Sequence, residues 1–177
     1  CIYPRILFSP ADALYSAKFL RLLVVLKVPN MNVLDILDQI IARIMPSIHC
    51  CTNNEAENLA IYLMEWLKML NQFSDVETWQ RECADYDGFK AKIGDAAEHS
   101  GIISHDHYCG TIFEEFHFGL ATFMLECLKN PKDKLNQTRS ALKVLFRIRS
   151  AFPKDKGYAE KLISEVQKIV ALNKEIK

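Results

Sequence analysis

The chain has 177 residues, half of them apolar and a quarter charged, and its basic and acidic side chains balance to a net charge of zero. That is enough chain for one well-buried globular domain and too little to require two, so the whole of 1–177 is expected to form a single helical domain. Bulk charge attracts no polyanion, no run of about twenty apolar residues offers a membrane span, and no signal-peptide pattern is present.

The charge is unevenly placed. Residues 52–115 carry thirteen acidic against four basic side chains, and residues 129–177 carry thirteen basic against five acidic. Such polarity can orient a partner, although a charge run is ordinarily only a solvated helix face. The six cysteines, Cys1, Cys50, Cys51, Cys83, Cys109 and Cys127, follow no disulfide framework, and reduced thiols are the simpler account. The chain starts at Cys1 without an initiator methionine, which reads as a piece of a longer protein.

The first helix opens at Ser9-Pro10-Ala11-Asp12: an N-cap serine, a proline at the first position and an early acid, each suited to the free N–H groups there. Leu14, Tyr15, Phe19, Leu22 and Leu26 form one stripe, and Leu20, Leu23 and Val24 make the other side apolar, so this helix is expected to be buried on two sides. Pro29 ends it. A second helix spans about 32–45 and is interrupted or kinked by Pro46. Thr52 and Glu55 form a capping box for a third, with Leu59, Leu63, Trp66, Leu67 and Leu70 on one face. Ser74 and Glu77 read as a second box, opening a short helix to Cys83.

Residues 94–110, rich in glycine and histidine with little periodicity, read as a surface loop joining sub-halves 1–93 and 111–177. Thr111–Leu128 then carries Phe113, Phe116, Leu120, Phe123, Met124 and Cys127 on one stripe, which predicts the central helix of the stack. A helix over 135–150 follows, with Leu142, Leu145, Phe146 and Ile148. Phe152-Pro153 breaks it, and a last helix from about Gly157 puts Leu162, Ile163, Val166, Ile169 and Val170 inside. The fold class is all-α: stacked antiparallel helices in an irregular HEAT/ARM-like solenoid, without a clean repeat.

Chemistry is sparse. His105, Asp106, His107 and Cys109, with His99, are the one cluster with metal-ligand residue types, but they lack the spacing of a zinc site. Cys109 beside histidines has the residue types of a nucleophile and base without the pattern of a known pair. No phosphate-binding glycine loop or nucleophile elbow appears, so no catalytic, cofactor or metal residue is assigned. Arg139, Lys143 and Arg147 stand four apart along one helix face, with Arg149, Lys154 and Lys156 close by and the apolar face of Leu142, Leu145 and Phe146 opposed to them. These six cations are the candidate contacts to a partner protein or RNA.

Several segments together resemble the family of THO complex subunit 2. They are Tyr3-Pro4-Arg5 with the run from Ser9 to Phe19, Cys51 to Ala56, Trp79 to Phe89 with its Glu-Cys, aromatic and Gly-Phe pattern, Phe116-His117-Phe118-Gly119-Leu120, and Leu142 to Pro153. The resemblance spans nearly the whole chain in order, and departs from the family at residues 94–110 and at Phe116, where many relatives are expected to carry tryptophan. It implies a nuclear, non-enzymatic scaffold from the later part of the helical body. Its implied partners are the other THO subunits and a DEAD-box RNA helicase, linking transcription to packaging and export of messenger RNA, with RNA contact through the basic face and neither a membrane nor a small-molecule substrate. A secreted helical cytokine tied by disulfides is the alternative from another class.

Overall fold

Local capping sets most helix starts. In the computed structural model, which describes residues 2–90 and 101–175, the Ser9 hydroxyl accepts the Asp12 N–H at 3.1 Å and opens α2 (Pro10–Val25). A short α1 (Ile2–Phe8) precedes it. Asn32 caps α3 (Val33–Ser47) by accepting the Leu34 and Asp35 N–H groups. The box of Thr52 and Glu55 opens α4 (Asn53–Phe73), with the Thr52 N–H donating to the Glu55 carboxylate at 2.7 Å. Beyond α5 (Val76–Glu82) and a 3-10 turn, Asp87–Phe89, come α6 (His105–His107), a π-helical stretch (Tyr108–Phe113), α7 (Glu114–Leu128), α8 (Leu135–Ile148) and α9 (Lys156–Glu175).

The architecture is an all-α irregular solenoid. Among the described residues the only β pairing is a single bridge between Lys90 and Ile102. The hub is α4, which packs against α1, α2, α5 and α8. It buries side chains around most of its circumference, among them Leu59, Tyr62, Leu63, Trp66 and Leu70, and leaves Glu57, Lys68 and Gln72 exposed along one stripe. Beyond α8 lies α7, and α9 packs on α7.

Several expectations are corrected here. The hub is not Thr111–Leu128: α7 packs on α3, α8 and α9, and of its three stripe phenylalanines only Phe116 is fully buried. The neighbours of α2, α1 and α4, also pack on each other and so cover one side of it: Ala13, Ala17, Leu20 and Val24 are buried while Tyr15, Leu22 and Leu26 are 54%, 50% and 63% exposed. The helix expected to stop or kink at Pro46, α3, continues through it to Ser47, because a proline in the last turn removes only one ladder bond. The cap of α5 is Asp75, which accepts the Thr78 N–H at 2.9 Å, while Ser74 donates to the Asn71 carbonyl. Of the expected loop, residues 94–100 lie outside the described residues, whereas 105–110 are helical and run into α7, anchored by the fully buried Tyr108. On α9, Leu162 and Ile169 are buried but Ile163 and Val170 are exposed.

The motif between Trp79 and Phe89 is a structural knot. The Tyr86 hydroxyl donates to the Val28 carbonyl at 3.0 Å, tying this turn to the α2–α3 link. A Cβ on Gly88 would stand 2.4 Å from the Tyr86 ring and 2.8 Å from the Met31 carbonyl, so this approach requires glycine. Phe89 then packs edge-on against Phe73, and against Trp79 at 5.1 Å. Tyr108 completes the cluster 4.7 Å from Trp79, its hydroxyl donating to the Leu70 carbonyl at 3.0 Å.

Candidate functional site

The feature that stands apart from the core is a groove between α8 and α9, floored by α4. On α8 the core face is Gln137, Thr138, Ala141, Val144 and Ile148, mostly small or β-branched residues that let the helix lie close on its neighbours. Thr138 donates to the Cys127 carbonyl at 3.0 Å, and the Gln137 amide reaches both the Cys127 sulfur, at 3.6 Å, and the His49 ring. This places the larger apolar side chains, Leu142, Leu145 and Phe146, on the flank that lines the groove. Leu162, Ile163 and Val166 of α9 face them, and Ala60 and Ile61 of α4 lie between. The cavity measures about 1030 Å³. A second, of about 820 Å³, shares Phe146, Arg147 and Arg149 and reaches Leu14 and Lys18 on α2.

The link between α8 and α9 holds the groove open. Asn71 of α4 donates to the Ala151 carbonyl at 2.9 Å, and Phe152 is buried with its ring stacked 5.7 Å from His117. His117 also packs 4.5 Å from Phe113, and among the described residues neither ring nitrogen has a hydrogen-bond partner. Burial, helped by the charge of Lys154, pushes its pKa down to about 4, so the ring is neutral at physiological pH. Nothing in the sequence pattern distinguishes His117 from an exposed helix histidine; only its place under Phe152 does.

The six candidate cations divide. Lys143, Arg147 and Arg149 line the groove, whereas Arg139, Lys154 and Lys156 are exposed and stand outside its lining. Contrary to the expected opposition of faces, Lys143 and Arg147 share this one cavity with Leu142, Leu145 and Phe146. Lys143 bonds Glu57 of α4 at 2.6 Å, and that hydrogen bond with its charge holds the Glu57 carboxyl below the usual range. The Arg149 guanidinium lies 4.1 Å over the Phe146 ring. Arg147 has no ion pair among the described residues. The groove residues Ile61, Ile163 and Val166 escape a reading of the sequence because their periodicity is that of a core face.

The His/Cys cluster is also resolved in part. His99 lies outside the described residues. His105 Nε2 stands 3.1 Å from the Ser74 carbonyl and 3.3 Å from Cys109 Sγ. A carbonyl only accepts, so Nε2 carries the hydrogen and offers the sulfur no lone pair. Burial raises the Cys109 pKa, and Asp106 and Glu114 add to it, which keeps the thiol protonated, the reverse of an activated nucleophile. Among the described residues no group of three or more His, Cys, Asp or Glu is placed to hold a metal ion. Cys50, Cys51, Cys83, Cys109 and Cys127 are free thiols, so the disulfide-tied cytokine alternative gains no support. No helix among the described residues is long and apolar enough to cross a membrane.

A family model described as transcription factor/nuclear export subunit protein 2, Tho2, matches residues 1–176. THO complex subunit 2 of Homo sapiens and that of Mus musculus are each 29% identical to this chain over 180 residues, covering 99% of it and 11% of their own length. THO complex subunit 2 of Arabidopsis thaliana is 28% identical over 155 residues, 86% of this chain and 8% of its own. The chain thus spans about a tenth of the length of these curated relatives. No solved structure is similar enough to be placed beside it.

Proposed function

This chain belongs to the Tho2 family, and from that premise we propose that it is a non-enzymatic scaffold segment of a THO complex. In this reading it works in the nucleus, as one helical unit that holds other THO subunits and a DEAD-box RNA helicase. It thereby couples transcription to the packaging and export of messenger RNA. The observation that carries the reading is the family match over residues 1–176, nearly the whole chain, with relatives named as THO complex subunits. The physical character of the molecule agrees with it. A hub helix buried around most of its circumference gives rigidity, and the open groove between α8 and α9 offers apolar area with cations beside it.

Arg139, Lys143, Arg147, Arg149, Lys154 and Lys156 are the proposed charge contacts, with the three in the groove facing protein and the outer three available to RNA phosphates. The test is direct. The tagged protein is purified from its own cells and the co-purifying chains are identified, and the purified helicase is assayed for ATPase activity with and without it. THO subunits in the eluate and a stimulated ATPase are expected. An eluate without them, and an ATPase unchanged at micromolar protein, would overturn the assignment.

A further inference from the structure

The groove between α8 and α9 has a definite chemical bias. The two adjoining cavities are lined by five cations, Lys18, Lys68, Lys143, Arg147 and Arg149, against two carboxylates, Glu57 and Glu65. Both carboxylates are already taken, Glu57 by Lys143 at 2.6 Å and Glu65 by Lys68 at 2.8 Å. The positive excess therefore rests on Lys18, Arg147 and Arg149, in a chain whose net charge is zero. Between the cations the walls are aliphatic, from Leu142 and Leu145 on one side to Ile163 and Val166 on the other.

From this surface we infer that the groove receives an amphipathic α-helix of another protein, apolar along one face and acidic along its flanks. The inference rests on the scaffold reading above and deepens it by naming the chemistry of one partner. The groove runs along α8 from Leu142 to Arg149 and along α9 from Ala159 to Gln167, a length of about 12 Å at 1.5 Å per residue. That accommodates two to three turns, whose side chains at i, i+3 or i+4, and i+7 would fill the aliphatic trough. Glutamates or aspartates on the flanks would then meet Arg147 and Arg149, a desolvated pairing that gives orientation as well as attraction. Single-stranded nucleic acid fits less well, since it needs exposed rings on which bases stack, and the one aromatic ring in the groove that is largely exposed, Phe146, is capped by Arg149.

The probe is a fluorescein-labelled designed helix of about four turns, with leucines on one face and glutamates on its flanks, titrated into the purified full chain by fluorescence anisotropy. Its counterpart has lysines in place of the glutamates, and a single-stranded oligouridylate serves as competitor. The acidic helix is expected to bind at least about tenfold tighter than the lysine helix, and to lose about tenfold in Arg147→Glu and in Ile163→Asp. Lys132→Glu, on an exposed turn away from the groove, should leave it unchanged. Ile163 is 56% exposed, so folding should survive, and Ile163→Ser serves if the aspartate variant melts early.

Equal affinity for the two peptides, insensitivity to the groove variants, or displacement by oligouridylate that is itself lost in Arg147→Glu would overturn the inference. Co-purification of THO subunits is scored separately. If it persists without acidic-helix binding, only this inference falls; if it fails while the peptide binds, the scaffold reading falls instead.

Discussion

α4 and α9 are nearly equal in length, at 21 and 20 residues, and both carry regularly spaced large apolar side chains, yet they end in opposite circumstances. α4 is walled in around most of its circumference by α1, α2, α5 and α8, and Leu59, Leu63 and Leu67 are fully buried. α9 rests on α7, leaving Ile163 and Val170 at 56% and 50% exposure. Apolar periodicity therefore marks a face that needs a neighbour, without saying whether the same chain provides it. α4 provides stability, and the open flank of α9 provides a surface.

The largest effect that would break this contrast lies in the hub. Leu63→Ala should destabilise by about 2–5 kcal/mol, the range for a leucine deleted from a packed core, read by urea melts. A loss under about 1 kcal/mol would mean that the α4 surroundings collapse onto the cavity and that the hub is loosely packed.

The next effect sits between the two regions, at His117, whose ring stacks on the Phe152 that lines the groove. Its pKa is lowered from 6.5 to about 4, so the unfolded chain takes up the proton more readily. Stability is then complete above about pH 6.5 and falls as the pH drops toward 4, by roughly 1–2 kcal/mol between pH 7 and pH 5. His117→Leu should flatten that dependence in melts at the two pH values. An equally steep variant would remove the buried histidine from the account. The capping carboxylates of Glu55 and Asp75, also held low, lose their contribution only in a more acidic window.

The smallest effect belongs to the groove. Ile163→Ser should change stability by no more than about 0.5 kcal/mol, as for other exposed positions. A loss approaching that of Leu63→Ala would show the flank to be covered in the free chain, and the contrast between α4 and α9 would vanish.

How much was readable from sequence follows from the range of each interaction. The Ser9 cap and the Thr52–Glu55 box are made within three residues, and both stand where the pattern puts them. The Gly88-Phe89 motif was recognisable as a pattern, but its purpose, the close seat of Tyr86 against Met31, was not. Residues 105–110 read as loop because histidines and a glycine give no periodicity, yet Tyr108 holds them helical through a carbonyl thirty-eight residues back. The apolar stripe of α2 read as buried on two sides because periodicity records apolar content and not cover.

By itself the sequence determined the all-α class, most of the helix starts and the family, since each rests on local spacing or on motifs in order. Which helix became the hub, and which apolar flanks stayed open, were decided only in three dimensions. The ties that set them join distant residues, Asn71 to Ala151 and Glu57 to Lys143, eighty and eighty-six positions apart. A helix presents several apolar flanks at once, and only the placement of its neighbours selects which of them water still reaches.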